Sequence, residues 1–333
     1  MLYQKIIRKT RFVARYTQFQ FAIRSQLYDK WQKDCQSLPL TDRHLPIFCA
    51  IHRAYWVSQK SFPNLVSGQA FNDKIQWLKL LGQDIGMVGL TDKLALKKIV
   101  EHALGPRFVA ATLSQGLRYQ DLNTEKLPRR YVLKSNHDSG SVYFVHDKAR
   151  FPEKKYRISL ERAIGRTYGE RGGEWQYWPI PKQLFAEEML PFINGAPPPD
   201  YKFHCSNGQV LWLQYIFDRG RGAKEIITDR DGKVMGLNFD QHMTSVFEFK
   251  RPRNWQALLE VAETMSRGFQ YVRVDLYNLP DRIVVGEMTF TPLNGMYQSE
   301  GNIELGKLIP LDRTQVKELV CSEFPGPSSR WPW

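Results

Sequence analysis

The sequence is poor in the residues that build covalent or zinc-held frameworks. Its 333 residues include only four cysteines, Cys35, Cys49, Cys205 and Cys321, and seven histidines. No two cysteines stand at CxxC spacing, so the reading is free thiols in a reducing cytoplasm and no disulfide scaffold. The histidines do not cluster at metal-ligand spacing, which argues against zinc. No apolar run approaches the length of a bilayer span. The basic N-terminus lacks a clean apolar core with a small-residue cleavage site, so it does not read as a secretory signal. Internal repeats and low-complexity blocks are missing too. Acidic residues are the minority charge: 34 Asp and Glu against 47 Lys and Arg leave a net charge of +13. That excess calls for an anionic partner, whether nucleotide phosphates, an acidic polymer or a membrane surface. Nucleic acid is not supported, because zinc-finger spacing, a single-strand stacking platform and a recognition helix are all wanting.

What is present is a globular chain, 42% hydrophobic and 13% aromatic, long enough for one large domain or two lobes. Residues 1 to 34 alternate Lys5, Arg8, Lys9, Arg11, Arg15 and Arg24 with Ile6, Ile7, Phe12, Val13, Phe19, Phe21 and Ile23. Such a helix suits an anionic membrane face, and equally the protein's own surface. Helical stripes follow around Ile47 to Lys60, from Phe71 to Leu80, and from Lys93 to Leu104, the last capped by Thr91 or Asp92 and stopped by Gly105-Pro106. Lys93 in a first turn opposes the helix dipole, a weak hint of other work.

Tyr131 to Lys134 and Val142 to Val145 read as strands around the small polar loop Ser135-Asn136-His137-Asp138-Ser139-Gly140-Ser141. Backbone N–H groups of such a loop can wrap a phosphate, with Lys134 as a point charge at its edge; a hairpin turn with a surface lysine is the plainer alternative. His137 and Asp138 read as polar loop residues. Residues 150 to 180 are basic and aromatic, and Trp175 and Trp178 suit either a core or a wall for a flat ligand. Leu184 to Leu190 is a strand with paired acids, Glu187 and Glu188. A Pro/Gly linker, Pro191 to Pro199, leads to a hairpin turning at Asn207-Gly208, whose first strand sets Asp200 and Lys202 on one face. A helix over residues 254 to 267 follows.

The last hairpin is the focus. Val272, Val274 and Leu276 alternate with Arg273, Asp275 and Tyr277, and a second strand runs from Ile283 to Phe290. Asp275 and Glu287 stand about equally far from the turn. Two carboxylates side by side repel unless a cation lies between them, and Mg²⁺ prefers such oxygens, shared with phosphates. Taken alone, the stretch fits an ordinary hairpin with solvated charges; the order of the earlier segments favours the metal site.

That order, marked by FNDKIQWLKL, LTDKLALKKIV, YVLKSNHDSG, FAEEML, DYKFHCSNG, FDR and VRVDLYN…GEMTFTP, resembles the ATP-grasp superfamily, and within it the TupA-like proteins associated with teichuronopeptide and other bacterial surface polysaccharides. The resemblance spans roughly Phe71 to Met296. It implies an α+β fold of two lobes clasping ATP between antiparallel sheets, behind a helical extension over 1–70. The part from 71 to 130 is helical and α+β, residues 131–190 form the small lobe with the phosphate loop, 191–300 the large lobe with the metal site, and 301–333 a tail.

The resemblance also implies roles. Lys93 and Lys134 reach the α- and β-phosphates, with Ser139, Gly140 and Ser141 as a lid. Glu187 takes the adenine amino group, and the backbone of Glu188, Met189 and Leu190 completes the slot. Asp200 lies near the ribose. Lys202 and Arg219 are candidates for phosphate contacts, Arg273 stabilises the transferring phosphoryl group, and Asp275 and Glu287 hold Mg²⁺. Where many ligases of this kind end their last strand in Glu-x-Asn, this chain has Glu287-Met288-Thr289. A neutral hydroxyl is a poorer ligand than an amide carbonyl, and Asn294 in the next loop is the expected substitute, which leaves a second metal ion open. The implied activity is an ADP-forming carboxylate–amine ligation through an acylphosphate, joining a uronic-acid carboxyl of a saccharide to an amino acid or other amine. Arg157, Arg162, Arg166, Trp175 and Trp178 are candidates for the acceptor channel. A sugar or polyol kinase on the same fold and a non-catalytic membrane-peripheral scaffold are the alternatives; a glycosyltransferase is disfavoured because the basic loop and the lysines suit a triphosphate better. The expected location is cytoplasmic, with a peripheral membrane contact if residues 1–34 make one.

Overall fold

A computed structural model of the chain describes residues 24–193 and 195–323. Most of the amphipathic segment expected over residues 1–34 therefore lies outside the described residues. From 24 to 35 the chain is helical (α1). Leu27 and Trp31, one turn apart, are buried there, and the Trp31 ring meets Phe48 edge-on at 4.9 Å. This part of the segment packs on the protein's own core. Among the described residues no helix is long and apolar enough to cross a membrane.

Three longer helices, α2 (Leu45–Gln59), α3 (Phe71–Leu81) and α5 (Lys93–Leu104), with the short α4 (Gly86–Thr91) between the last two, precede the first strand. The Asp92 carboxylate caps α5 by accepting from Leu94 N at 2.9 Å. Helix α3 is buried on nearly all sides because it fills the centre of the molecule: the Phe71 ring packs edge-on against Trp212, Phe239, Tyr271 and Tyr297.

The strands divide into two sheets. The smaller comprises β1 (Thr112–Gly116), β2 (Tyr131–Ser135), β3 (Val142–Val145) and β4 (Leu184–Glu188), in the order β1-β4-β2-β3 and antiparallel throughout. The larger comprises β5 (Asp200–Ser206), β6 (Gln209–Phe217), β7 (Lys224–Asp229), β8 (Thr244–Ser245), β9 (Val272–Asn278) and β10 (Ile283–Thr289), ordered β10-β9-β5-β6-β7-β8. The β5–β6 hairpin closes through Asn207 (φ 47°) and Gly208 (φ 82°), the left-handed pair that Asn-Gly supplies readily. Strand β1 falls in the stretch that the sequence reading treats as preceding the small lobe, yet it pairs with β4 of that sheet. Its mostly exposed side chains give no apolar alternation to read.

Each sheet uses the two-residue period of its strands to separate core from cleft. In the small sheet, Tyr131, Leu133, Leu184 and Ala186 pack with Leu160 of α6 (Glu153–Ile164). In the large sheet, Phe203, Val272, Val274 and Leu276 pack with Leu258, Leu259 and Ala262 of α7 (Trp255–Met265). The alternate positions, Val132, Lys134, Phe185 and Glu187 on one sheet and Asp200, Lys202, Asp275 and Tyr277 on the other, line one cleft.

Candidate functional site

The cleft between the sheets encloses about 300 Å³. Its lining combines apolar walls, among them Val132, Phe144, Phe185, Leu190, Phe192 and Val284, with Lys93, Lys97, Lys134, Lys202 and Arg219 and the acids Glu187, Glu188, Asp200, Asp275 and Glu287. A mostly apolar concavity with a few convergent charges is the usual form of a small-molecule site.

Register explains why distant segments meet here. Lys202 on β5 is the direct partner of Asp275 on β9, and Asp275 is the direct partner of Glu287 on β10. The Lys202 ammonium donates to Asp275 Oδ2. Arg273, two residues along the same face, donates from Nε to Asp275 Oδ1 at 2.6 Å and from Nη2 to Oδ2 at 2.7 Å. Burial works to raise the Asp275 carboxyl, but Arg273 and Lys202 outweigh it and hold it below the ordinary carboxylate range. Glu287 makes no ion pair with any described residue. Asp200, at the start of β5, pairs with the guanidinium of Arg219 from the turn after β6.

On the facing sheet, Glu187 is shared. Its Oε1 takes Lys134, and its Oε2 lies 2.7 Å from Lys97 Nζ. Burial again works upward on this carboxyl, and Lys134 and Lys97 together bring it below the ordinary range. Glu188 accepts from Ala111 N at 2.9 Å and pairs with Arg282 of the β9–β10 turn at 2.6 Å, a bond between the two sheets.

The loop between β2 and β3 is organised by Asp138, which accepts from the hydroxyls of Ser135 and Ser141. Lys93 meets this loop through its ammonium on the Asp138 carbonyl, and its helix is tied there by Asn136, which donates to the Asp92 cap at 2.9 Å. The reading of Asp138 as a polar loop residue fits that position. It closes the loop on itself.

Not every expected site residue comes to the cleft. Ser139, Gly140, Ser141 and Met189 are not among its lining residues, and neither are Arg273, Thr289 and Asn294. Ser139 and Gly140 are exposed, with Gly140 at φ 96°, while the Ser141 hydroxyl is spent on Asp138. Arg273 is turned onto Asp275 and onto Thr289 Oγ1 at 3.0 Å, so it braces the carboxylate. The expectation that Asn294 supplies a metal ligand is corrected: both its carbonyl and its side-chain oxygen accept from the buried ammonium of Lys79, which also donates to Gly172 O at 3.1 Å. Burial pushes the Lys79 ammonium down to about 7, offset in part by Glu174. Glu187, expected to face a nucleobase amino group, has both oxygens on lysines. Trp175 is a core residue, 1% exposed, and Leu160 and Ala163 turn α6, which carries Arg157 and Arg162, onto the cleft-averted side of the small sheet. Arg166 lies past the end of α6, with its guanidinium 3.7 Å from Asp138 of the phosphate loop.

Lys97 escaped the sequence reading, although it stands four residues after Lys93 on one helix face, and that spacing was available as a signal.

The donor set fits a hard divalent ion. Two carboxylates face each other on one wall, and one of them lacks a protein cation. Among the described residues no three His, Cys, Asp or Glu side chains form a metal cluster. A protein share of two oxygens is what Mg²⁺ takes when phosphates and water complete its shell. Residues 188, 190 and 200 and the cleft's apolar walls, with Lys93, Lys97, Lys134 and Lys202 among the lining, fit a nucleotide in the same space.

The family model described as TupA-like ATPgrasp matches residues 73–309. No curated protein matches the chain. Solved structures with similarity include the D-alanine–D-alanine ligase of Bacillus anthracis complexed with ATP, 18% identical with a TM-score of 0.36, over 60% of this chain and 55% of that one. A RimK-domain ATP-grasp protein from Sphaerobacter thermophilus DSM 20745 is 15% identical with a TM-score of 0.39, over 71% of this chain and 70% of that one. The D-alanine–D-alanine ligase of Helicobacter pylori is 14% identical with a TM-score of 0.35, over 67% and 61%. The chain thus spans 55% and 61% of the lengths of those two ligases.

Proposed function

The chain belongs to the TupA-like ATP-grasp family, and on that premise we propose that it is an ADP-forming ligase that joins a carboxylate to an amine. ATP and Mg²⁺ are standard for this fold; ATP supplies the phosphoryl group that activates the carboxylate as an acylphosphate, and Mg²⁺ neutralises phosphate charge. The observation that carries the reading is one juxtaposition: Asp275 and Glu287 on the large sheet line one cleft with Lys134 of the small sheet and Lys93 of α5.

The chain's own groups have matching tasks in this reading. Asp275 and Glu287 hold the metal, and Lys93 and Lys134 bind phosphate oxygens as point charges. Lys202 and Arg219 stand beside the carboxylates on the same sheet and complete the positive lining, with Arg219 also orienting Asp200 toward the ribose. Arg273 keeps Asp275 ionised and fixed in direction. Leu190, Phe185 and Val284 give an apolar slot for the base. No nucleophilic side chain is called for, because charge placement and alignment supply the rate enhancement. Ser139 and Gly140, exposed in the phosphate loop, have the task in this reading of closing over the triphosphate and excluding water. Thr289 and Asn294 are bound to Arg273 and Lys79, which favours a single protein-held ion.

For substrates, a uronic-acid carboxyl of a bacterial surface polysaccharide unit and an amino acid or amine suit the family and the net charge of +13. The test is mass spectrometry of products after incubation with Mg-ATP, uronic-acid glycosides and the common amino acids. ADP and an amide only when acid and amine are both present is the expected result. A phosphorylated saccharide without amine makes the protein a kinase, and failure to bind Mg-ATP makes it a scaffold.

A further inference from the structure

Lys97 has no task in the reading above. It leaves α5 on the same face as Lys93, one turn later, and both line the cleft. Three contacts hold its ammonium: Glu187 Oε2 at 2.7 Å, the Ala110 carbonyl, and the Phe185 ring, whose centre lies 5.7 Å away. The other oxygen of Glu187 holds Lys134. One carboxylate is therefore divided between two ammonium groups, with side-chain exposures of 13% for Lys97, 8% for Glu187 and 21% for Lys134.

With Lys134 as its only partner, Glu187 would be stranded as a buried, uncompensated charge whenever Lys134 moved to another anion. Stranding a buried carboxylate costs far more than parting an exposed pair. Lys97 removes that obstacle. Tied by a backbone carbonyl and an aromatic ring, it stays with Glu187 while the more exposed Lys134 leaves.

We propose that Lys97 is a positioning residue for nucleotide binding, the standing counter-ion of Glu187 that frees Lys134 to engage a phosphate of ATP. The proposal rests on the ATP reading of the cleft. It has a signature that neither a direct phosphate contact nor a packing role shares. If Lys97 acts by neutralising Glu187, it becomes dispensable once Glu187 is uncharged.

The test is calorimetric Mg-ATP binding by the full chain and by Lys97→Met, Glu187→Gln, the double variant and Lys97→Arg, with thermal unfolding of each. Lys97→Met is expected to weaken binding about tenfold or more. Lys97→Arg, which keeps the charge, is expected to bind within about twofold of the unaltered chain, and the double variant within about twofold of Glu187→Gln. Unweakened binding by Lys97→Met overturns the proposal, and so does a double variant that falls below Glu187→Gln by as much as Lys97→Met falls below the unaltered chain. Should the unaltered chain bind no Mg-ATP, the ATP reading falls and this inference with it; binding by the unaltered chain without rescue in the double variant sinks the inference alone.

Discussion

Asp275 and Glu287 stand opposite each other because β10 carries one extra residue, Gly286. Near the turn the pairs are Ile283 with Asn278, Val284 with Tyr277 and Val285 with Leu276, and beyond the irregularity Glu287 pairs with Asp275. Without the bulge, Gly286 would face Asp275, and Glu287 would face Val274, whose side chain lies in the apolar core. A one-residue change of register moves a side chain to the other face of a sheet. The bulge keeps both carboxylates on the cleft.

Gly286 has little room for a side chain. A Cβ there would lie 2.8 Å from Cε2 of Tyr277, a cleft residue. Gly286→Val is expected to displace the Tyr277 ring and misplace Glu287, lowering ATP turnover by about 10²-fold. Turnover measured across a Mg²⁺ titration checks this, and an unchanged curve would show that the bulge does not set the site.

The two acids should separate in stability while agreeing in activity. Glu287→Gln and Asp275→Asn are each expected to reduce turnover by about 10²–10³, as is Lys134→Ala. Asp275→Asn also leaves the buried Arg273 and Lys202 without their carboxylate, at a cost of about 3–5 kcal/mol. Glu287→Gln breaks no ion pair and should stay within about 0.5 kcal/mol. Urea unfolding beside turnover distinguishes the two, and equal stabilities would contradict the pairing described.

Acid should unfold the protein through the same groups. Asp275 and Glu187 are held below their ordinary values of 3.8 and 4.5. The unfolded chain therefore binds protons first as pH falls, so the stability they contribute is fully present above those values. It is lost as pH drops through the depressed native ones. Thermal unfolding from pH 7 to pH 3 should show this loss, with a shallower decline in Glu187→Gln. An identical slope in that variant would deny Glu187 its part.

Asn294→Ala tests the correction made to the metal site. The residue sits at φ 56° and gives Lys79 one of its side-chain acceptors. Alanine tolerates that backbone poorly and leaves the buried ammonium short of a partner, so a loss of about 1–3 kcal/mol is expected. The Mg²⁺ concentration for half-maximal turnover should not move. A shift in it would return Asn294 to the metal.

The hairpins at 131–145, 200–217 and 272–289 and the helices from Phe71 and Lys93 were legible because their signals are local: a two-residue or 3.6-residue apolar period, an Asn-Gly turn, an Asp cap. The gathering of Lys93, Lys134, Asp200, Lys202, Asp275 and Glu287 was implied by the family resemblance and not by any local period: Lys93 lies on a helix, and Glu287 shares the face of Asp275 only through the bulge in β10. Strand β1 was not legible, because an edge strand with exposed side chains has no apolar period and exists only through its pairing with β4.

Partners were decided by tertiary structure alone. Nothing near Asn294 in the chain announces Lys79, 215 residues away, and nothing near Glu187 announces that Lys97 and Lys134 will divide it. Sequence patterns report which face of an element a side chain takes. Which charge it meets there depends on how two separate elements are brought together, and burial then makes that meeting obligatory, since an ion removed from water must find its counter-ion.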